Sequence, residues 1–275
     1  MRTIHAATVQ MSSEGGSAQV LPQMERIAHA AALMGVEALL FPEGNLHGYD
    51  YDMTKESVGA VAERLDGASA TAVLGMARKH NIIVMAGMFE KDKDAIYNTH
   101  IVAFPDGRLI HQRKHNITDI EANAGLTRGP RQRTLFEING VRCAVMICAD
   151  AGIEGLSEDL KRDGVELRFS PCGGGGLWEK TLGQADLKTE EGRARYAENR
   201  KTVCSPGPFD TTFATWGTAA ANVACNALGR AGARTCHQGH CSIVDNFGVL
   251  RVQVTGTNVR EHINPQLISA VLTWE

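Results

Sequence analysis

Three expected strand ends each deliver one reactive side chain. In Leu39-Leu40-Phe41-Pro42-Glu43 a carboxylate follows an apolar run, with Gly48-Tyr49 shortly after. Arg113-Lys114 closes the second strand, and Glu121 follows it. Val145-Met146-Ile147-Cys148-Ala149-Asp150 ends the third, also an apolar run, on a thiol. Such runs read as buried strands, and functional residues gather at the carboxyl ends of strands in α/β sheets. A Glu, a Lys and a Cys converging there would support nucleophilic catalysis. Glu43 would take the thiol proton, Lys114 would face the developing oxyanion, and Cys148 would attack a carbonyl or nitrile carbon to form a thioester-type intermediate. A nearby cation also lowers a thiol pKa. Each residue alone has a plainer reading: Cys148 as a small buried hydrophobe, Glu43 as a turn carboxylate, Lys114 as a solvated edge charge.

The elements that must position these residues follow from periodicity. Thr3–Gln10 reads as a first strand. Val20, Met24, Ile27, Ala31 and Met34 recur at helical spacing, and Gly35 supplies a stop. A second helix is expected over Ser69–His80, then strands over Ile82–Phe89 and Ile96–Phe104. Pro105-Asp106-Gly107 turns the last of these into Arg108–Arg113. Val141–Cys148 reads as a strand, Gly152–Gly164 as a short helix, Leu167–Ser170 as a brief strand and Leu187–Val203 as a charged helix. Cys204–Gly217 reads as a loop, and strands are expected at Asn222–Leu228, Cys241–Asp245 and Leu250–Val254. Alternating strands and helices, with hairpins between, predict a mixed sheet system covered by helices.

Composition narrows the function. The chain has 275 residues, 43% hydrophobic and 21% charged, enough apolar material for a core rather than disorder. A net charge of −3 argues against a nucleic-acid partner held through phosphates. Seven irregularly spaced Cys do not form a disulfide framework. No apolar window is long enough for a membrane span, and the N-terminus lacks a signal-like apolar region. A cytoplasmic protein with no membrane partner is the expectation.

Taken as an ordered set, the motifs resemble the nitrilase superfamily of carbon–nitrogen hydrolases. The set comprises Phe41-Pro42-Glu43 with Gly48-Tyr49, Arg113-Lys114 with Ile117 and Glu121, and Ile147-Cys148 with Asp150. Gly239 with Ser242-Ile243-Val244-Asp245 and Gly248 resembles that family's late strand. The resemblance covers essentially the whole chain, so residues 1–275 are expected to form a single domain with one site. It implies an α/β fold, a four-layer α-β-β-α sandwich. It implies Glu43 as base, Lys114 as oxyanion stabiliser, Cys148 as nucleophile and Glu121 as a second, orienting glutamate. The N–H of Ala149 would be a second oxyanion donor, and Tyr49 and Trp178 would face the substrate. No metal or other cofactor is implied. A small-molecule amide or carbamoyl substrate and a homodimer or higher homo-oligomer are. The segments around the helix after Cys148 and the Leu187–Val203 helix are the candidate subunit contacts.

Departures from the family pattern shape the substrate expectation. Nitrile-hydrolysing members commonly carry Trp-Glu after the cysteine, where this chain has Ala149-Asp150; that favours amides. Members acting on N-carbamoyl amino acids often place arginines there to clamp a carboxylate, and the next Arg here is Arg162. Asp150 is expected to cap the following turn. Gly173–Gly176 reads either as a flexible surface loop or as a mobile pocket wall carrying Trp178. Cys204–Trp216 reads as an insertion. Cys236-His237-Gln238-Gly239-His240-Cys241 invites a zinc reading, but its ligands are packed too tightly for two separated pairs. His240, if its strand faces the pocket, would touch substrate.

Overall fold

The computed structural model describes residues 1–177, 189–194, 220–254 and 264–275. Two six-stranded sheets form its centre. The first runs in the order β15 (Gln266–Trp274), β1 (Arg2–Gln10), β2 (Ala38–Leu40), β3 (Ile83–Asp92), β4 (Ala95–Ala103), β5 (Leu109–Arg113). The second runs β14 (Leu250–Val254), β13 (Cys241–Val244), β10 (Ala221–Asn226), β8 (Leu167–Cys172), β7 (Val141–Val145), β6 (Leu135–Ile138). A small third sheet joins β11 (Leu228–Arg230), β12 (Thr235–Gln238) and β9 (Gly175–Leu177).

Alternation along each strand explains the layers. Ile4, Ala6, Leu40, Met85 and Val102 of the first sheet share one core with Val145, Phe169, Val223 and Ile243 of the second. Their neighbours Ala7, Val9, Leu39, Val84 and Ile101 face the other way. There they meet Val20, Met24, Val73 and Ala77 of helices α1 (Gly16–Leu33) and α3 (Ala68–His80). On the far side, Leu156 and Leu160 of α5 (Leu156–Arg162) cover Ala144 and Met146. Strands buried on both faces need apolar residues at successive positions, which is why they read as continuous runs. The result is the expected α-β-β-α sandwich.

Several elements differ from the sequence reading. Met34 is the cap of α1 and is 51% exposed, because the buried face of Val20, Met24, Ala28 and Ala31 ends before it. The strand expected through Cys148 ends at Val145, and Cys148 opens a 3-10 turn over Cys148–Gly152. The strand expected over Asn222–Leu228 breaks at Ala227 into β10 and β11. Gly173–Gly176 is not a free loop, since Gly175 and Gly176 pair with His237 and Cys236, and Trp178 of the alternative pocket-wall reading lies outside the described residues. Two short helices went unread, α2 (Lys55–Val61) and α4 (Asp119–Asn123). Of the charged helix expected over Leu187–Val203, residues 190–194 are helical and the remainder lies outside the described residues, apart from 189. The Cys204–Trp216 insertion also lies outside them.

Gly87 on β3 shows how the core reaches the site. A Cβ there would sit 2.1 Å from the Gly44 nitrogen and 2.9 Å from the Glu43 carbonyl carbon. The turn carrying Glu43 is thus pressed directly on the strand. Neither contact is the end of a flexible side chain, so Gly87→Ala must displace backbone. We expect a loss of about 1–3 kcal/mol, read as a melting-point fall of roughly 2–4 °C per kcal/mol. An unchanged melting point would show that the turn has room to move.

Candidate active site

Each site residue is set by a local device. The turn after β2 is pinned to β3: Gly87 N–H donates to Asn45 Oδ1 at 2.9 Å, and Leu46 N–H donates to the Gly87 carbonyl at 3.0 Å. That fixes Glu43. Lys114 directly follows β5, and its N–H donates to the Asn98 carbonyl on β4 at 2.8 Å. Glu121 lies in the first turn of α4, where Thr118 and Glu121 form a reciprocal capping box. Cys148 adopts φ +43°, the left-handed region that a non-glycine residue enters at a cost. The turn after β7 thereby holds the thiol out from the strand.

The side chains converge in a buried polar cluster. Lys114 Nζ lies 2.7 Å from Glu43 Oε1 and 2.8 Å from Glu121 Oε2, and all three side chains are fully buried. Asn98 Nδ2 donates to Glu43 Oε1 at 2.7 Å and to Glu121 Oε1 at 2.6 Å. The Gly173 N–H donates to Glu43 Oε2 at 2.7 Å, and the Thr118 N–H to Glu121 Oε2 at 2.7 Å. Charges taken this far from water persist only when paired and hydrogen-bonded. Both carboxylates meet that condition at both oxygens.

Electrostatics order the protons. Burial works against the Lys114 charge, but Glu43, Cys148 and Glu121 outweigh it and hold its pKa well above the ordinary lysine value. Burial, then the Cys148 charge, push Glu43 well above the usual carboxylate range, against the pull of Lys114. Cys148 moves the other way. A hydrogen bond from Cys172 draws its pKa down to about 6 against the cost of burial, helped by Lys114 and the Gly173 N–H. Thiol and carboxyl are thus shifted in opposite directions, Cys148 down and Glu43 up.

Tyr49 joins the cluster, its ring centre 5.8 Å from Lys114 Nζ. Burial raises its phenol pKa, so it stays neutral. Ala149 follows Cys148 and is half-buried; its carbonyl accepts from Asn116 Nδ2 at 2.7 Å. Trp178 lies outside the described residues. A cleft of about 560 Å³ bordered by His47, Asp50, Asp52 and Arg230 shares only Tyr49 with this cluster.

Asp150 does something other than the expected cap. It is fully buried; Oδ1 accepts from the His115 and Asn116 N–H groups at 2.9 and 2.7 Å, and Oδ2 pairs with Arg133 at 2.7 Å. It therefore staples the segment after Lys114 to the turn after Cys148 and has no face for substrate. His237 does not hold a metal through a free ring nitrogen. Nδ1 lies 3.0 Å from the Gly173 carbonyl and Nε2 lies 2.9 Å from that of Tyr49. His240 meets Gln10 through its N–H at 2.8 Å and Gln253 through its ring at 3.3 Å.

Comparison with known proteins follows from this geometry. The family model described as carbon-nitrogen hydrolase matches residues 5–263. The chain belongs to the carbon–nitrogen hydrolase family. A nitrilase of Pyrococcus abyssi is 28% identical over 54% of this chain and 56% of its own length. An omega-amidase NIT2 of Danio rerio is 26% identical over 79% of each chain. The solved carbon-nitrogen hydrolase of Helicobacter pylori superposes with a TM-score of 0.76 at 15% identity, covering 98% of this chain and 89% of that one. That last likeness is one of fold.

For this carbon–nitrogen hydrolase, the lowered thiol is directly measurable. Iodoacetamide should label Cys148 with a pH midpoint near 6. Burial holds Cys241 up at about 12 and raises Cys143 and Cys225 as well, so these should lag. A Cys148 midpoint near the ordinary ~8.5 would remove the preformed thiolate.

Proposed function

We propose that this carbon–nitrogen hydrolase is an amidase acting on a small linear amide or an N-carbamoyl compound through a Cys148 acyl-enzyme. The observation that carries the reading is the fully buried Lys114 ammonium held between Glu43 and Glu121 at 2.7 and 2.8 Å, with a thiol of lowered pKa beside it. The Cys148 thiolate attacks the carbonyl carbon. The oxygen takes up the negative charge, which Lys114 and the Ala149 N–H receive. Glu43, carrying the thiol proton, passes it to the leaving nitrogen, and ammonia or an amine departs. Glu43 then removes a proton from water, whose oxygen attacks the thioester and returns the thiolate.

Glu121 and Asn98 act as positioning residues: neither attacks, and together they keep Lys114 and Glu43 in register. Tyr49 borders the substrate in this reading. Asp150 leaves no arginine clamp after the nucleophile, which supports neutral amides over N-carbamoyl acids. The whole chain works as one domain in this reading, because β2, β4, α4, β7 and β8 each supply part of one cluster. A cytoplasmic homo-oligomer fits it, with α5 as a candidate contact; solution sizing tests this. A panel of linear amides, N-carbamoyl amines and acids, and nitriles, scored for ammonia and carbon dioxide, tests the substrate class. Ammonia from amides is expected, and carbon dioxide would mark a carbamoyl group. Turnover of nitriles alone would overturn the amide reading.

A further inference from the structure

The mechanism leaves one nucleophile at the site unused. Cys172 ends β8, beside β7, whose exit leads to Cys148. The two strands are parallel, with Cys143 opposite Leu167 and Val145 opposite Phe169. The match continues past β7, where the Met146 N–H donates to the Phe169 carbonyl at 2.9 Å. Beyond that bond the chain leaves the ladder, and the 3-10 turn that Cys148 opens stays in contact with β8, the strand that Cys172 ends. The two thiols also hydrogen-bond to one another.

The pair is asymmetric in access. Cys148 is half-buried, whereas Cys172 is 3% exposed. The Cys172 backbone is held, since its carbonyl accepts from the Ala227 N–H at 3.1 Å and the Glu43 N–H at 3.4 Å. An oxidant entering from solvent meets Cys148 first, with Cys172 fixed behind it.

We propose that Cys148 and Cys172 form a site of reversible oxidation by hydroperoxides, closing to an intramolecular disulfide that stops hydrolysis and protects the nucleophile. The functional consequence rests on Cys148 being the nucleophile. The Cys148 thiolate attacks the distal peroxide oxygen, the O–O bond breaks, and an alkoxide or hydroxide leaves and takes up a proton. Cys148 is then a sulfenic acid, and the peroxide has accepted its two electrons. Cys172 sulfur next attacks the Cys148 sulfur. The S–O bond breaks, and the departing hydroxide leaves as water with the Cys172 proton. Two equivalents of a thiol reductant restore both side chains.

The test uses the full chain, reduced and then exposed to stoichiometric hydrogen peroxide. Free thiols are alkylated, and the digest is mapped by mass spectrometry alongside ammonia release. The expected result is one peptide pair linking Cys148 to Cys172, loss of ammonia release, and recovery of both with dithiothreitol. In Cys172→Ser, a second equivalent of peroxide should carry Cys148 from the sulfenic to the sulfinic acid, and dithiothreitol should not restore that variant's own starting rate. Sulfinic Cys148 beside reduced Cys172 in the unsubstituted protein would overturn the proposal. So would a Cys172 link to Cys225, which lies on the adjoining strand β10. A Cys148–Cys172 link with undiminished ammonia release would keep the pairing but overturn both its effect on hydrolysis and the assignment of Cys148 as nucleophile. The unsubstituted protein decides each case, whatever the folding of the variant.

Discussion

Cys148→Ala should abolish amide turnover while leaving the protein folded. Losing the nucleophile of a covalent mechanism typically costs roughly 10⁵–10⁶-fold in kcat, about 7–8 kcal/mol of transition-state stabilisation. The fold should tolerate the change because Cys148 is half-buried in a turn and only packs against the margin of the central core. Alanine also relieves none of the contacts that hold Glu43, since those come from Lys114, Asn98 and Gly173. Steady-state ammonia release and a melting curve check the two halves. Retained turnover in a folded variant would sink the acyl-enzyme mechanism. Intact mass measurement of the unsubstituted protein with a slow amide should show the acyl adduct, which peptide mapping places on Cys148.

Lys114→Met should damage both stability and activity, and its stability should depend on pH in a particular direction. Removing one member of a buried ionic group leaves uncompensated charge, a loss of about 3–5 kcal/mol. Glu43 and Glu121 would face each other without the cation now 2.7 and 2.8 Å away. Glu43, whose folded pKa already stands well above the unfolded value of about 4.3, would rise further without the pull of Lys114. For such a group the stability is whole below the unfolded pKa and is lost as pH rises toward the folded one. The variant should therefore melt higher at pH 5 than at pH 8. Activity should fall by at least about 10²–10³-fold, as on losing one oxyanion donor. A variant with unchanged stability at pH 8 would show that the cluster does not need its cation.

Much of this site was legible because it rests on residue type at strand ends. Glu43, Lys114 and Cys148 each stand at the end of an expected strand, Glu121 was singled out by the family resemblance, and Glu43, Lys114 and Glu121 do meet. Asn98 was not visible, since an asparagine within an apolar strand has no local signature. Its role arises only because β4 lies between the turn after β2 and the segment after β5. The Gly173 N–H was hidden for a similar reason, being a backbone group in the distant link between β8 and β9. One missed element did carry a signal. Thr118-Asp119-Ile120-Glu121 fits the capping-box pattern, so α4 and the anchoring of Glu121 were both readable.

The sequence by itself determined a mixed sheet system covered by helices and the residue types able to do thiol chemistry, and its resemblance to a known family implied the sandwich. Short-range patterns encode these, because burial and helix or strand period act on neighbours along the chain. Only the tertiary structure decided how the protons and charges are shared. Complete burial of Lys114 between two carboxylates, the left-handed turn at Cys148 and the approach of Cys172 all depend on strand register. That register brings together residues far apart in sequence, and the low dielectric between the sheets turns their proximity into shifted pKa values.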